Sequence, residues 1–114
     1  GYGYIELGGA VGSRQGVQAS KAAAFVEKPD DQTAEKYVAG GRHLWNAGIF
    51  VWKPGAVLGE LKKNKPALFH TVARIADAWG TPRFDQVFRT EYEGAERVSI
   101  DYAVMQEAGR AGKV

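Results

Sequence analysis

The chain has 114 residues, 45% of them hydrophobic and 25% charged, with a formal net charge of +2 and no cysteine. That composition describes one small globular domain at most, or a piece of a larger one, and it excludes a disordered segment, a disulfide framework and a cysteine metal site. The charge is too weak to suggest a nucleic-acid partner, no apolar run approaches the roughly 20 residues of a membrane span, and no signal peptide heads the chain, so a cytoplasmic protein is expected.

In chain order, "GYGYIEL" is aromatic and β-branched, and it predicts a strand over Tyr2 to Leu7. The glycine-rich "GGAVGSRQG", residues 8–16, reads as a loop, and Val17 to Val26 as a second strand pairing back as a hairpin. "AAA" at 22–24 is weak strand material, so a distortion is expected there. A helix should begin near Asp31 and end at Gly40. "HLWNAGIFVWKP", residues 43–54, is apolar on both faces from Ile49 to Trp52, the pattern of a central strand covered on two sides. The second half is helical. Helices are predicted over Gly55 to Lys63 and from Pro66 to Gly80, the latter with a stripe of Leu68, Phe69, Val72, Ile75, Ala76 and Trp79. A shorter helix over Arg83 to Thr90 would bury Phe84, Val87 and Phe88, and Ser99 or Asp101 would cap a last helix that stops at Gly109. Strands followed by helices make an α/β or α+β architecture. Neither end of the chain falls in a polar linker, which reads as an excerpt from a longer protein.

Few residues carry candidate chemistry. His43 and His70 are far apart and have no cysteine or carboxylate cluster nearby, so metal ligation by them is not expected. "GYGYI" is too short for a dinucleotide fingerprint; Gly3 either relieves crowding among aromatics or lets a ligand approach the backbone. Glu27 and Lys28 are a sharper pair. Neighbours in a strand point to opposite faces, so both can serve one site only where the strand ends or bulges, which Pro29 makes reasonable. A lysine at a strand's C-terminal end suits a phosphate as a compact charge, and Glu27 can accept from sugar hydroxyls. The alternative is an exposed ion pair of little energetic value. Asn46 interrupts an apolar stretch, so its amide needs either a structural network or a polyol ligand, with Ala47 and Gly48 keeping the wall beside it low.

Taken together, "GYGYIE", "FVEKPD", "LWNAGIFVW" and "SIDYAVMQ", in this order, resemble the bacterial mannose-1-phosphate guanylyltransferases, members of the sugar-phosphate nucleotidyltransferases. The Glu-Lys-Pro element is shared across that superfamily, whereas "WNAGIF" with "SIDYAVM" points to the mannose enzymes. The resemblance implies a Rossmann-like mixed α/β sheet of which only the sugar-binding part is present in residues 1–114. It implies an enzyme that joins mannose 1-phosphate to the guanylyl group of GTP, giving GDP-mannose and pyrophosphate, with Mg²⁺ neutralising charge. By motif, Gly3 would offer backbone to the sugar, Glu27 would bind its hydroxyls, Lys28 its phosphate, and Asn46 the ring, with Gly48 leaving space. The family's metal aspartates and glycine-rich triphosphate loop would lie outside this chain, before residue 1 and beyond residue 114. Asp101 is therefore read as a helix cap and not as a metal ligand. Gln106 stands where glutamate is more usual, and the hairpin tip is variable. Another sugar-1-phosphate nucleotidyltransferase using UTP or dTTP, or a non-catalytic sugar-phosphate-binding relative, are the alternative readings. Neither a nucleic-acid nor a membrane partner is expected, and homo-oligomerisation is left open. Alone, residues 1–114 would expose apolar surface around Ile49 to Trp52.

Overall fold

The computed structural model describes residues 3–114, and Tyr2, at the head of the first predicted strand, lies outside them. The architecture is mixed α/β, and the chain divides into two compact units. One holds the residues up to Val51 together with Ile100–Val114, and the other is Trp52–Ser99.

In the first unit, β1 (Tyr4–Arg14) and β2 (Val17–Val26) form an antiparallel hairpin, and β3 (His43–Trp45) pairs with the other edge of β1, giving the order β2-β1-β3. The glycine-rich stretch predicted as a loop is the outer half of β1. The turn is only Gln15 and Gly16, with φ of 52° and 81°, the left-handed pair that suits the twist of a two-residue hairpin. The alanine run distorts the ladder as expected: Glu6 faces Ala24 while Leu7 faces Ala22, so Ala23 is the extra residue of a bulge.

Helix α1 (Asp31–Gly40) starts where Asp30 accepts the Thr33 N–H at 2.7 Å, and this bond holds the Asp30 carboxyl below its ordinary value. Its stop is Gly41, in the left-handed conformation, one residue beyond the predicted Gly40.

The predicted central strand over residues 43–54 is a correction. Only His43–Trp45 pair, and Ile49 and Val51 are 81% and 97% exposed. Two causes are local. The ladder with β1 ends where the Asn46 N–H meets the Gly3 carbonyl at 2.8 Å. Two residues on, Gly48 at φ 68° turns the chain out of the extended region.

The end of the chain returns to β2. A π-helical turn, Asp101–Met105, leads into α5 (Gln106–Arg110), and Ala103, Val104, Met105 and Ala108 are buried with Phe25 and Ala22 of β2. Asp101 is not a cap. Ile100 holds the N-cap position without a side-chain bond, and the Asp101 carboxylate is engaged elsewhere. A Cβ on Gly109 would stand 3.1 Å from Phe25 Cβ and 3.2 Å from its backbone nitrogen. Gly109→Ala gains some helix propensity, about 1 kcal/mol at most, against overpacking of about 1–3 kcal/mol onto a strand backbone that cannot shift freely. Net destabilisation is expected, read as a lower urea midpoint; an unchanged or raised midpoint would remove this close contact from the account.

In the second unit, α2 (Pro54–Asn64) and α3 (Pro66–Ala78) each begin with proline in the first turn, where its missing N–H costs nothing. Helix α4 (Phe84–Glu93) follows. The buried positions are Leu61, Thr71 and Ala78; Leu68, Phe69 and Ile75 of the predicted stripe are half-buried, and Val72, Ala76 and Trp79 are exposed. The packed face of α3 is thus turned relative to the predicted one. Arg74 explains why a threonine lies inside it: its guanidinium grips both Glu91 oxygens on α4, at 2.7 and 2.6 Å, and reaches Thr71 Oγ1 at 3.4 Å. Along α4, Phe84, Phe88 and Tyr92 stack at successive four-residue steps, with Phe88 exposed where burial was predicted.

The Arg74 clamp sets a pH dependence. Its hydrogen bonds hold the Glu91 carboxyl below the ordinary 4.5, so the unfolded chain binds that proton more readily than the folded one. The contribution is complete above pH 4.5 and fades as pH falls through the lowered folded value. Glu91→Gln is expected to lose stability at neutral pH and to show a shallower acid decline than wild type in thermal melts between pH 7 and 3; parallel decline of the two proteins would exclude the clamp as a contributor.

Candidate functional site

The end of β2 answers how Glu27 and Lys28 can face one way. The ladder stops at Val26, opposite Tyr4, and Lys28 adopts φ 47°, in the left-handed region that side chains other than glycine seldom occupy. It does so directly before Pro29, which also disfavours helical conformations in the residue preceding it. Backbone held in such a conformation costs on the order of 1–3 kcal/mol. The outcome is that alternation ends: Lys28 Nζ lies 3.9 Å from Glu27 Oε1, on one side of the sheet end. The separation makes a loose ion pair, so the ammonium is not consumed by it.

The two side chains differ in accessibility. Glu27 is 9% exposed and Lys28 56%. Lys28 reaches outwards, its Nζ 6.0 Å from the centre of the Tyr102 ring, at the outer limit of a cation–π contact. Glu27 Oε2 is buried and has no hydrogen-bond partner among the described residues. A buried carboxylate oxygen without a donor is costly, so this atom keeps its full capacity to accept a hydrogen bond.

Gly3 leaves the space above it. A Cβ on Gly3 would overlap Glu27 Oε2 and meet Asn46 Cβ at 3.4 Å. The Gly3 carbonyl accepts the Asn46 N–H, and the place its missing Cβ leaves is taken by the Glu27 carboxylate. Asn46 follows directly after β3, and its side chain is tied at both ends: Nδ2 donates to Asp101 Oδ1 at 2.9 Å and Oδ1 accepts the Gly48 N–H at 2.9 Å. One Asn46 N–H and one lone pair remain. A Cβ on Gly48 would meet nothing within 4 Å, so the space beside it is open. The requirement is its positive φ, which lets its N–H close the turn onto Asn46.

The structure therefore gathers Gly3, Glu27, Lys28, Asn46 and Gly48 at the start of β1, the end of β2 and just beyond β3. Sequence reasoning missed two neighbours of these residues, Asp101 beside Asn46 and Tyr102 beside Lys28. The available signal was Asn46 itself: a polar amide in an apolar stretch calls for a partner, and Asp101 is that partner. His43 has a buried Nδ1 without a partner among the described residues, but its ring stacks on Tyr37 at 3.8 Å beside Tyr4, a packing role in the first unit. Among the described residues, no three His, Cys, Asp or Glu side chains group closely enough to hold a metal ion, and no helix is long and apolar enough to cross a membrane.

Residues 1–91 match the family model described as nucleotidyl transferase. The chain belongs to that family. Among curated relatives, this nucleotidyl transferase chain is 37% identical over 112 residues to the mannose-1-phosphate guanylyltransferase of Escherichia coli strain K12, covering 97% of the chain and 23% of the relative. It is 38% identical over 113 residues to the mannose-1-phosphate guanylyltransferase ManC of Salmonella typhimurium strain LT2, again covering 97% of the chain and 23% of the relative. The chain thus spans about a quarter of the length of the curated relatives it matches. Among solved structures, the Thermus thermophilus protein described as a mannose-1-phosphate geranyltransferase superposes with a TM-score of 0.70 at 31% identity, over 94% of this chain and 28% of that one.

Proposed function

We propose that the full-length protein carrying this chain transfers the guanylyl group of GTP to mannose 1-phosphate, and that the gathered residues form its sugar-phosphate side. The observation that carries this reading is the buried, partnerless Glu27 Oε2 with the Lys28 ammonium on the same side of the sheet end. A carboxylate acceptor for hydroxyls beside a solvent-reachable cation is the donor–acceptor pattern that a sugar phosphate complements. The names of the relatives support the choice of mannose and of guanylyl transfer.

In the proposed reaction, a phosphate oxygen of the sugar phosphate attacks the α-phosphorus of GTP. The new oxygen–phosphorus bond forms as the bond to the β-phosphate breaks, and pyrophosphate leaves. No protein nucleophile is needed, so catalysis is positioning and charge stabilisation. This chain's residues contribute to positioning. Lys28 holds the sugar's phosphate as a point charge, Glu27 accepts from ring hydroxyls, the missing Cβ of Gly3 leaves the Glu27 carboxylate its place, and the remaining Asn46 amide valences face the sugar. Mg²⁺ would neutralise phosphate charge in the full-length protein. The described residues supply no cluster to hold it, so no step is assigned to a metal bound by this chain.

The test is pyrophosphate release by the full-length protein with Mg²⁺, offering GTP, UTP, dTTP and ATP against mannose 1-phosphate and glucose 1-phosphate. Release with GTP and mannose 1-phosphate should exceed every other pair. Preference for UTP or dTTP with glucose 1-phosphate would reassign the substrate within the family, and no release with any pair would favour a sugar-phosphate-binding role without catalysis.

A further inference from the structure

A site for a sugar must do more than hold it, because hexose epimers differ only in the direction of one hydroxyl. Discrimination then depends on whether each donor and acceptor is fixed. Asn46 is the ambiguous member of the gathered residues. Its carbonyl and amine ends have nearly the same shape, and an amide free to turn over offers either a donor or an acceptor to the same hydroxyl.

Two fixed partners remove that freedom. The Gly48 N–H can only donate, so it must face Oδ1; the Asp101 carboxylate accepts, so it faces Nδ2. The turn that carries Asp101 is well anchored. Asp101 is the first residue of the π-helical turn, and the next residues but one, Ala103, Val104 and Met105, are all buried. Between them, Tyr102 faces the Lys28 ammonium at 6.0 Å. One short π-helical turn thus touches both Asn46 and Lys28, and irregular turns of this kind recur at functional sites.

We infer that Asp101 is a positioning residue of the sugar site: by holding Asn46 Nδ2 it fixes which end of the amide faces the sugar, and so sets the preference between hexose 1-phosphates. The inference rests on the functional reading above. It assigns Asp101 no contact with substrate. Its effect passes through Asn46, and the turn's second contact, Tyr102 beside Lys28, keeps the phosphate end and the ring end of the site in one register.

The test compares wild type, Asp101→Ala and Asp101→Asn in the full-length protein. Calorimetry gives the affinity for mannose 1-phosphate and glucose 1-phosphate, steady-state kinetics gives KM for each substrate, and melting curves report folding. Asp101→Ala should weaken mannose 1-phosphate binding about tenfold and narrow its preference over glucose 1-phosphate, with the KM for GTP unchanged. Asp101→Asn, which still presents an acceptor to Nδ2, should stay within about threefold of wild type. Unchanged affinity and preference in Asp101→Ala would overturn the inference. So would equal losses for GTP and sugar phosphate with a lowered melting temperature, the signature of a purely structural tie. A wild-type protein that binds neither sugar phosphate would overturn the functional reading, and the inference with it. That result is distinct from a wild type that binds and a variant that binds equally well.

Discussion

Replacing Lys28 with alanine is expected to raise the KM for mannose 1-phosphate about 100-fold while leaving the KM for GTP near its wild-type value. The magnitude follows from removing a charged hydrogen-bond donor from a phosphate, about 1.5–3 kcal/mol for each bond lost, or roughly 10- to 150-fold. The Glu27 partner does not absorb this charge, since the two side chains sit 3.9 Å apart and Lys28 is 56% exposed. The backbone complicates a bare alanine result, because Lys28 holds φ 47°. Lys28→Gly separates the two effects: glycine adopts that conformation without strain, so it should melt higher than Lys28→Ala. If the ammonium is what matters, both variants lose sugar-phosphate affinity alike despite different stabilities. If glycine keeps wild-type KM, the charge has no role in binding and the pair returns to a surface ion pair.

Much of this arrangement was legible from the residues, and the departures have physical causes. The helices α1 and α3 were read from Asp31, Gly40 and Pro66, signals that act within a few residues of themselves, and the cap and stop of α1 lie one residue to either side, at Asp30 and Gly41. The hairpin was expected, but the position of its turn was not. Glycine-rich sequence reads as loop, whereas a strand tolerates glycine when a neighbouring strand fixes it. The stretch from Ile49 to Trp52 was misread because apolar residues on both faces describe a covered strand only where a ladder partner exists, and pairing with β1 stops at Gly3 and Asn46. At the site, the pairing of Glu27 with Lys28 was readable from Pro29. The left-handed backbone at Lys28 was not, because a lysine carries no local signal for it. Asp101 was assigned to helix capping because that is the frequent use of an aspartate beside a helix start. Its real partner is 55 residues away in sequence, beyond any local pattern.

A methyl group at Gly3 is the sharpest test of how the site is built, and Gly3→Ala is expected to weaken mannose 1-phosphate binding by about 30- to 150-fold with little change in melting temperature. The new Cβ would overlap Glu27 Oε2, so something must move. The strand backbone is the costly choice, because the Gly3 carbonyl anchors the Asn46 N–H at 2.8 Å. The carboxylate is the cheap one. Its buried oxygen has no partner among the described residues, so swinging it towards solvent relieves a desolvation cost and leaves the fold intact. Stability and function therefore separate: the protein that loses its hydroxyl acceptor is no less stable for it. A double-mutant cycle makes the mechanism explicit. Glu27→Ala alone should bind as weakly as Gly3→Ala, and adding Gly3→Ala to it should cost almost nothing more, because the alanine methyl then has no carboxylate to displace. Independent, additive losses would mean that Gly3 acts through its own contact with the sugar, and the partnerless oxygen of Glu27 would no longer be the acceptor around which the site is arranged.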